Sequence, residues 1–404
     1  MNAKPRSAGT KQLVYGQPSW QVASTGIEAF VTELGGHLGP VTFRRQGKPL
    51  QPYSVAPWCK EKADPAMPNI IQVLRGDFFC LPFGGNAAAY KGEKHPVHGE
   101  TSNARWRFES LENTEGRKCL HLSLRTKVRP GLVDKRIWVI DGHDAVYSQH
   151  VVSSMSGPMN LGHHAMLKFP EEPGSGRVST SRFVYGQVFP QPFEFPEKGG
   201  YSYLKQGAKF KSLAKVPTIT GEHTDLTHYP ARRGFEDLVM IVSDAALPFA
   251  WTAVTFPKER YAWFALKNPR VLRQTIFWLS NGGRYYAPWN GRHTAVLGLE
   301  EVTSYFHLGL AESARENPLS KRGIPTHLAL NPAEPAVIPY IMGVARIPAG
   351  FDRVAAIRPV RGKPAIRLES ASGRSAEAVV DLSFLEAGAD WLAGRALEIR
   401  AKLA

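Results

Sequence analysis

The sequence predicts an all-β protein, built as a large antiparallel β-sandwich. Three observations lead there. Apolar residues recur with period two in many short runs, which places them on one face of a strand. Glycine (37) and proline (31) punctuate the chain between those runs, as turns between short strands require. One short segment alone, near Leu308 to Glu316, has helical character. With 404 residues, 43% of them hydrophobic, the chain has ample material for a sizeable core.

Taken in order, the polar, basic residues 1–12 read as a flexible tail. Residues 27–32, then Gly35-Gly36, then 41–43 form a hairpin-like pattern, and the Pro-rich, polar stretch 47–70 reads as loop. Leu120, Leu122 and Leu124 alternate with His121 and Ser123, so a strand buries the leucines on one face. Residues 136–140 and 145–153 are further strands. Pro-Gly and Gly-Gly punctuation marks 170–225 as a loop-rich insertion with short strands. The β pattern resumes at 238–242, 250–254, 261–266, 273–279 and 294–299, and again at 354–357, 365–368 and 376–382. Alternation of Leu397, Ile399, Ala401 and Leu403 predicts a last strand. With neither a repeat nor a linker in view, residues 13–404 read as a single unit, with 330–404 a C-terminal β elaboration.

The formal net charge is +15, yet no run of five basic residues occurs; Arg44-Arg45 and Arg232-Arg233 are the densest clusters. Scattered charge of this kind describes a basic surface rather than a nucleic-acid module. Three cysteines without a CxxC spacing fit neither a disulfide framework nor a cysteine zinc site. The start has no secretory pattern, and no apolar run approaches the ~18 residues of a membrane span. The expectation is a cytoplasmic protein without nucleic-acid or membrane partners.

Three polar islands carry the chemistry: His98-Gly99, Gly162-His163-His164 and Gly298-Leu299-Glu300. An imidazole gives a proton near neutral pH and a carboxylate takes one. Strand neighbours face opposite ways, so one of His163 and His164, and one of Glu300 and Glu301, points into any given pocket. Trp289, in Pro288-Trp289-Asn290-Gly291-Arg292, offers a ring on which the C–H face of a sugar packs. His95 and His98 have HxxH spacing without the HExxH of a zinc protease. A metal-dependent isomerase or lyase on His95, His98, His163 and Glu300 stands as an alternative.

Order and spacing of these islands, with Gly35-Gly36-His37-Leu38 ahead of them and Gly282-Gly283 and Pro288-Trp289 between the last two, resemble the aldose 1-epimerase or galactose mutarotase-like superfamily. The resemblance spans most of residues 20–310. It implies a galactose mutarotase-like supersandwich and an isomerase that interconverts the anomers of a small-molecule sugar with no metal or organic cofactor. Carried over by motif, His164 protonates the ring oxygen, Glu300 takes the proton of the anomeric hydroxyl, and His98 holds the sugar. Arg75, in Leu74-Arg75-Gly76-Asp77, and Asp237, in Gly234-Phe235-Glu236-Asp237-Leu238, match the family's further substrate-binding positions. Ala165 and Glu301 stand where the family pattern has proline. A non-catalytic carbohydrate-binding protein on the same scaffold is one alternative. A phosphosugar mutarotase, with Arg or Lys grouped at the pocket rim, is another.

Overall fold

Period-two apolar runs pair into two large antiparallel sheets in the computed structural model, which describes residues 9–44, 47–62 and 64–387. The first sheet holds β1 (Phe79–Cys80), β2 (Leu161–His163), β3 (Ala165–Lys168), β4 (Phe183–Val188), β5 (Lys209–Phe210), β6 (Phe235–Ser243), β7 (Gln274–Asn281) and β8 (Val296–Thr303). Its spatial order is β5-β4-β6-β7-β8-β2-β1, with β3 also paired to β8. The second sheet has nine strands, and its centre runs through Ala250–Phe256, Tyr261–Lys267, Ala336–Arg346 and Ala145–Ser153.

Alternation sorts the side chains into layers. Val239, Ile241, Phe277, Leu279, Leu297 and Leu299 leave one face of the first sheet and meet Leu122, Ile137, Trp263 and Tyr340 of the second. The opposite face carries Leu238, Met240, Ile276, Trp278 and Val302, covered by loop residues such as Trp58, Phe83, Trp289 and Phe306. The outer face of the second sheet is covered in turn by a three-stranded sheet, Val354–Pro359, Ala365–Ser370 and Ser375–Val379.

Several sequence expectations change here. Ala336–Arg346 is an interior strand of the nine-stranded sheet, so a boundary at 330 does not follow the sheets. Inside 170–225, Gly176–Thr180 and β4 belong to the two main sheets. The helix shortens to Leu310–Ala314, and Lys11–Val14, at the end of the expected tail, is a strand. The strand expected at 397–403 lies outside the described residues. No helix among the described residues is long and apolar enough to cross a membrane.

One strand arrangement positions everything that follows. β8 pairs with β2 through Leu161↔Thr303 and with β3 through Ala165↔Leu299. Both pairings share one register, so His164, in the gap between β2 and β3, falls opposite Glu300, and His163 opposite Glu301. The pleat then sends His164 and Glu300 to the outer face and their neighbours inward. Inside, Glu301 pairs with Lys267 and accepts from the hydroxyls of Thr252 and Thr275, the latter at 2.7 Å. Lys267 Nζ also donates to the Gln274 carbonyl and to Thr275 Oγ1, each at 2.9 Å. Removing one member of such a pair strands the other charge in the core. Lys267→Met is therefore expected to cost ~3–5 kcal/mol in urea unfolding, and adding Glu301→Leu to recover most of that loss.

Candidate active site

His98 is held by its loop in the left-handed region, at φ 58°, a conformation in which histidine is more at home than most residues. Its N–H donates to the Gly84 carbonyl at 2.7 Å, and the His98 carbonyl accepts from Ser102 Oγ at 2.8 Å. The Gly84 N–H points at His98 Nδ1 (3.3 Å), which assigns Nδ1 as acceptor and the ring proton to Nε2. That Nε2 lies 3.1 Å from Nε2 of His307.

His164 donates its backbone N–H to Phe78 at 2.9 Å and stacks its ring on the Phe78 ring, 4.5 Å between centroids. Its centroid lies 5.0 Å from that of His98. Nε2 of His164 is 3.1 Å from Oε1 of Glu300. Gly298 makes this possible: a Cβ there would come to 3.0 Å from both Glu300 Oε1 and Trp278 Cβ. His98, His164 and Glu300 are 4%, 4% and 1% exposed.

Burial decides the protonation of this group, because it penalises each charged form. It carries His164 down to about 3, helped by His307, and pushes Glu300 well above the ordinary carboxylate range, against the pull of Arg284. His98 falls well below the usual imidazole value, and His307 falls to about 4. Although the two groups sit at ion-pair distance, the favoured form is a carboxylic acid hydrogen-bonded to a neutral imidazole, with one proton between them. His164 Nδ1 and Glu300 Oε2 are buried without a hydrogen-bond partner among the described residues.

A second ring of side chains encloses the first. Trp278 lies 5.8 Å from His164 and stacks on His293 at 5.3 Å and 17°. Trp289, 6% exposed, meets Trp58, Trp278 and His293 edge-on at 4.9, 5.9 and 5.1 Å. The Arg284 guanidinium sits over Trp289 (4.7 Å) and Trp278 (5.3 Å) and pairs with Glu194 at 2.5 Å. Glu236 accepts from Trp278 Nε1 (2.8 Å), Ser280 Oγ (2.9 Å) and the Gly283 N–H (3.2 Å). Burial still lifts Glu236 to about 7, against Arg284 and these donors.

Of the residues singled out in the sequence, His98, His164, Glu300 and Trp289 therefore come together. Two do not. Arg75 is fully buried, with Nε, Nη1 and Nη2 each donating to a carbonyl, those of Val73, Val14 and Tyr15. Asp237 shares its strand face with Val239 and Ile241, which look into the intersheet core, and accepts from the N–H groups of Tyr203 and Leu204. Its neighbour Glu236 takes the outer face and meets Trp278 there. The alternative metal set is not assembled either. His163 faces inward and bonds Asp77 at 2.8 Å, while His95 bonds Glu93 at 2.9 Å. His307, Trp278, Glu236, His293 and Arg284 went unrecognised in the sequence. Counting in twos back along β6 and β7 from a site on Glu300 would have found Trp278 and Glu236.

The backbone is similar to several solved structures. A candidate aldose 1-epimerase from Escherichia coli K12 is matched over 81% of this chain and 99% of its own, with a TM-score of 0.55 and 14% identity. A galactose mutarotase-like protein from Clostridium acetobutylicum is matched over 84% and 98%, with a TM-score of 0.55 and 11% identity. A galactose mutarotase related enzyme from Lactobacillus acidophilus gives 81% and 97%, 0.52 and 12%. At these identities the likeness shows the fold, which is the galactose mutarotase-like β-sandwich. No family model and no curated protein matches the chain.

The buried imidazoles set a pH dependence of stability. His293, 3% exposed, is pushed down to about 3 by burial and then by Arg284. A depressed imidazole contributes stability that is complete above the unfolded value near 6.5 and is lost as pH falls toward the folded one. His293→Gln should flatten the loss of stability between pH 6.5 and pH 3, by on the order of 3 kcal/mol over that window. Urea unfolding at a series of pH values measures the difference in slope.

Proposed function

We propose that this chain is an aldose 1-epimerase-like isomerase that interconverts the anomers of an aldose by acid/base ring opening and closure. The observation that carries the reading is the His164–Glu300 contact, at 3.1 Å, on the outer face of a mutarotase-like sheet. Moving the shared proton from Glu300 to His164 gives a carboxylate and an imidazolium, the base and the acid that ring opening needs. Glu300 then takes the proton of the C1 hydroxyl while His164 gives one to the ring oxygen, and the C1–O5 bond breaks. The open chain leaves behind a protonated Glu300 and a neutral His164, the form that burial favours. After rotation about C1–C2, Glu300 returns a proton to the carbonyl oxygen as His164 takes one from the C5 hydroxyl, and the ring closes on the other face.

In this reading His98 holds a sugar hydroxyl and Trp289 belongs to the aromatic wall of the site. Glu300 Oε2 and His164 Nδ1, both without a hydrogen-bond partner among the described residues, are the polar atoms a hydroxylated ligand engages. Arg75 and Asp237 take no part, since backbone groups already occupy their polar atoms.

One observation favours a second reading, a non-catalytic carbohydrate-binding protein. The acid and the base are bonded directly to each other and nearly closed to solvent. The two readings separate by experiment. Polarimetry on freshly dissolved α-anomers of a sugar panel should show acceleration by the native protein. Glu300→Gln should lower that rate by about 10²–10⁴-fold while sugar binding persists. Full activity in the variant removes the acid/base assignment, and binding without acceleration by the native protein leaves the second reading.

A further inference from the structure

We propose that the aromatic rim formed by residues 193–201 and 282–292 is a second saccharide subsite, so that the substrate is the reducing-end unit of an oligosaccharide. The inference rests on the reading of His164 and Glu300 given above. Phe195, Tyr201, Tyr285 and Tyr286 are 40%, 40%, 56% and 38% exposed, an unusual concentration of large rings at the surface. All four lie in these two segments, which are fastened to each other. The Tyr285 N–H donates to the Gly199 carbonyl at 2.8 Å and the Tyr201 N–H to the Gly283 carbonyl at 3.0 Å, while Gly200 and Arg284 form a β-bridge. Tyr201 and Tyr285 meet edge-on at 5.9 Å. The rings are thus presented on a backbone ordered before any ligand arrives, which lowers the entropic cost of binding.

The rim is continuous with the interior. Arg284, next in sequence to Tyr285, turns inward onto Trp278 and Trp289, and Trp278 contacts His164. Glu194 joins the two levels, because it pairs with Arg284 and accepts from the Tyr286 hydroxyl at 3.2 Å. The chemistry of the patch selects its occupant. Flat rings with hydroxyl tips match a saccharide, which presents C–H faces and hydroxyl edges together. A sugar whose anomeric carbon enters toward Glu300 carries its next unit outward, onto these rings.

Calorimetric titration of the full chain with glucose, maltose and cellobiose tests this, alongside the double variant Tyr201→Ala, Tyr285→Ala. One of the disaccharides is expected to bind about tenfold tighter than glucose, with the advantage lost in the double variant. Glucose binding and glucose anomerisation should be unchanged in that variant, which also serves as its control for folding. No disaccharide advantage, or an advantage that survives the double variant, overturns the subsite. Anomerisation of glucose without a disaccharide advantage removes the subsite and leaves the function standing. A ring-dependent disaccharide advantage without anomerisation does the reverse. Binding of none of the three sugars overturns the subsite as well.

Discussion

The structure depends on the pleat of β8. Adjacent residues on a strand must face opposite sides, so Glu300 and Glu301 cannot share an environment. The same holds for His163 and His164 across the ladder, and one register aligns the two pairs. Two doublets of the same residue types thereby divide into two different devices. Glu301 becomes half of an ion pair with Lys267 between the sheets, and His163 becomes the partner of Asp77. Glu300 and His164 meet on the other face. A one-residue slip in the register would exchange these roles.

Burial then determines what the outer pair can be. A carboxylate and an imidazole in water would both change charge between pH 4 and 7, whereas here burial holds each neutral. The neutral pair still contains one mobile proton, which is what an acid and a base acting in turn require. The rings around it, Phe78, Trp278 and Trp289, supply the apolar surroundings. Arg284 is the exception, a half-buried cation retained because Glu236 and Glu194 outweigh its desolvation.

Much of this was legible in the sequence. Alternation marked many of the strands, and the three polar islands contained His98, His164 and Glu300, although the choice of His164 over His163 and of Glu300 over Glu301 came from the family resemblance. The failures have physical causes. Ala336–Arg346 is buried on both faces, so its apolar run shows no period of two, and Pro339 obscures it further. Short strands within 170–225 were expected, but the turns that join them hid their place in the two main sheets. Arg75 and Asp237 came from the family resemblance, Arg75 by its motif and Asp237 by its interval, and neither specifies the face a side chain takes. Asp237 lies on the inner face of its strand, and Arg75 is engaged by backbone carbonyls near the N-terminal strand. His307 and Arg284 reach the site from loops, where no periodicity points to them.

The central claim is the protonation of one ring. Nitrogen-15 NMR of the His164 imidazole in the native protein, followed from pH 5 to pH 9, reads it directly. A neutral ring at every pH, with no protonation step, is the predicted result. An imidazolium that titrates near the ordinary value of about 6.5 would contradict the account, because burial would then not control the pair.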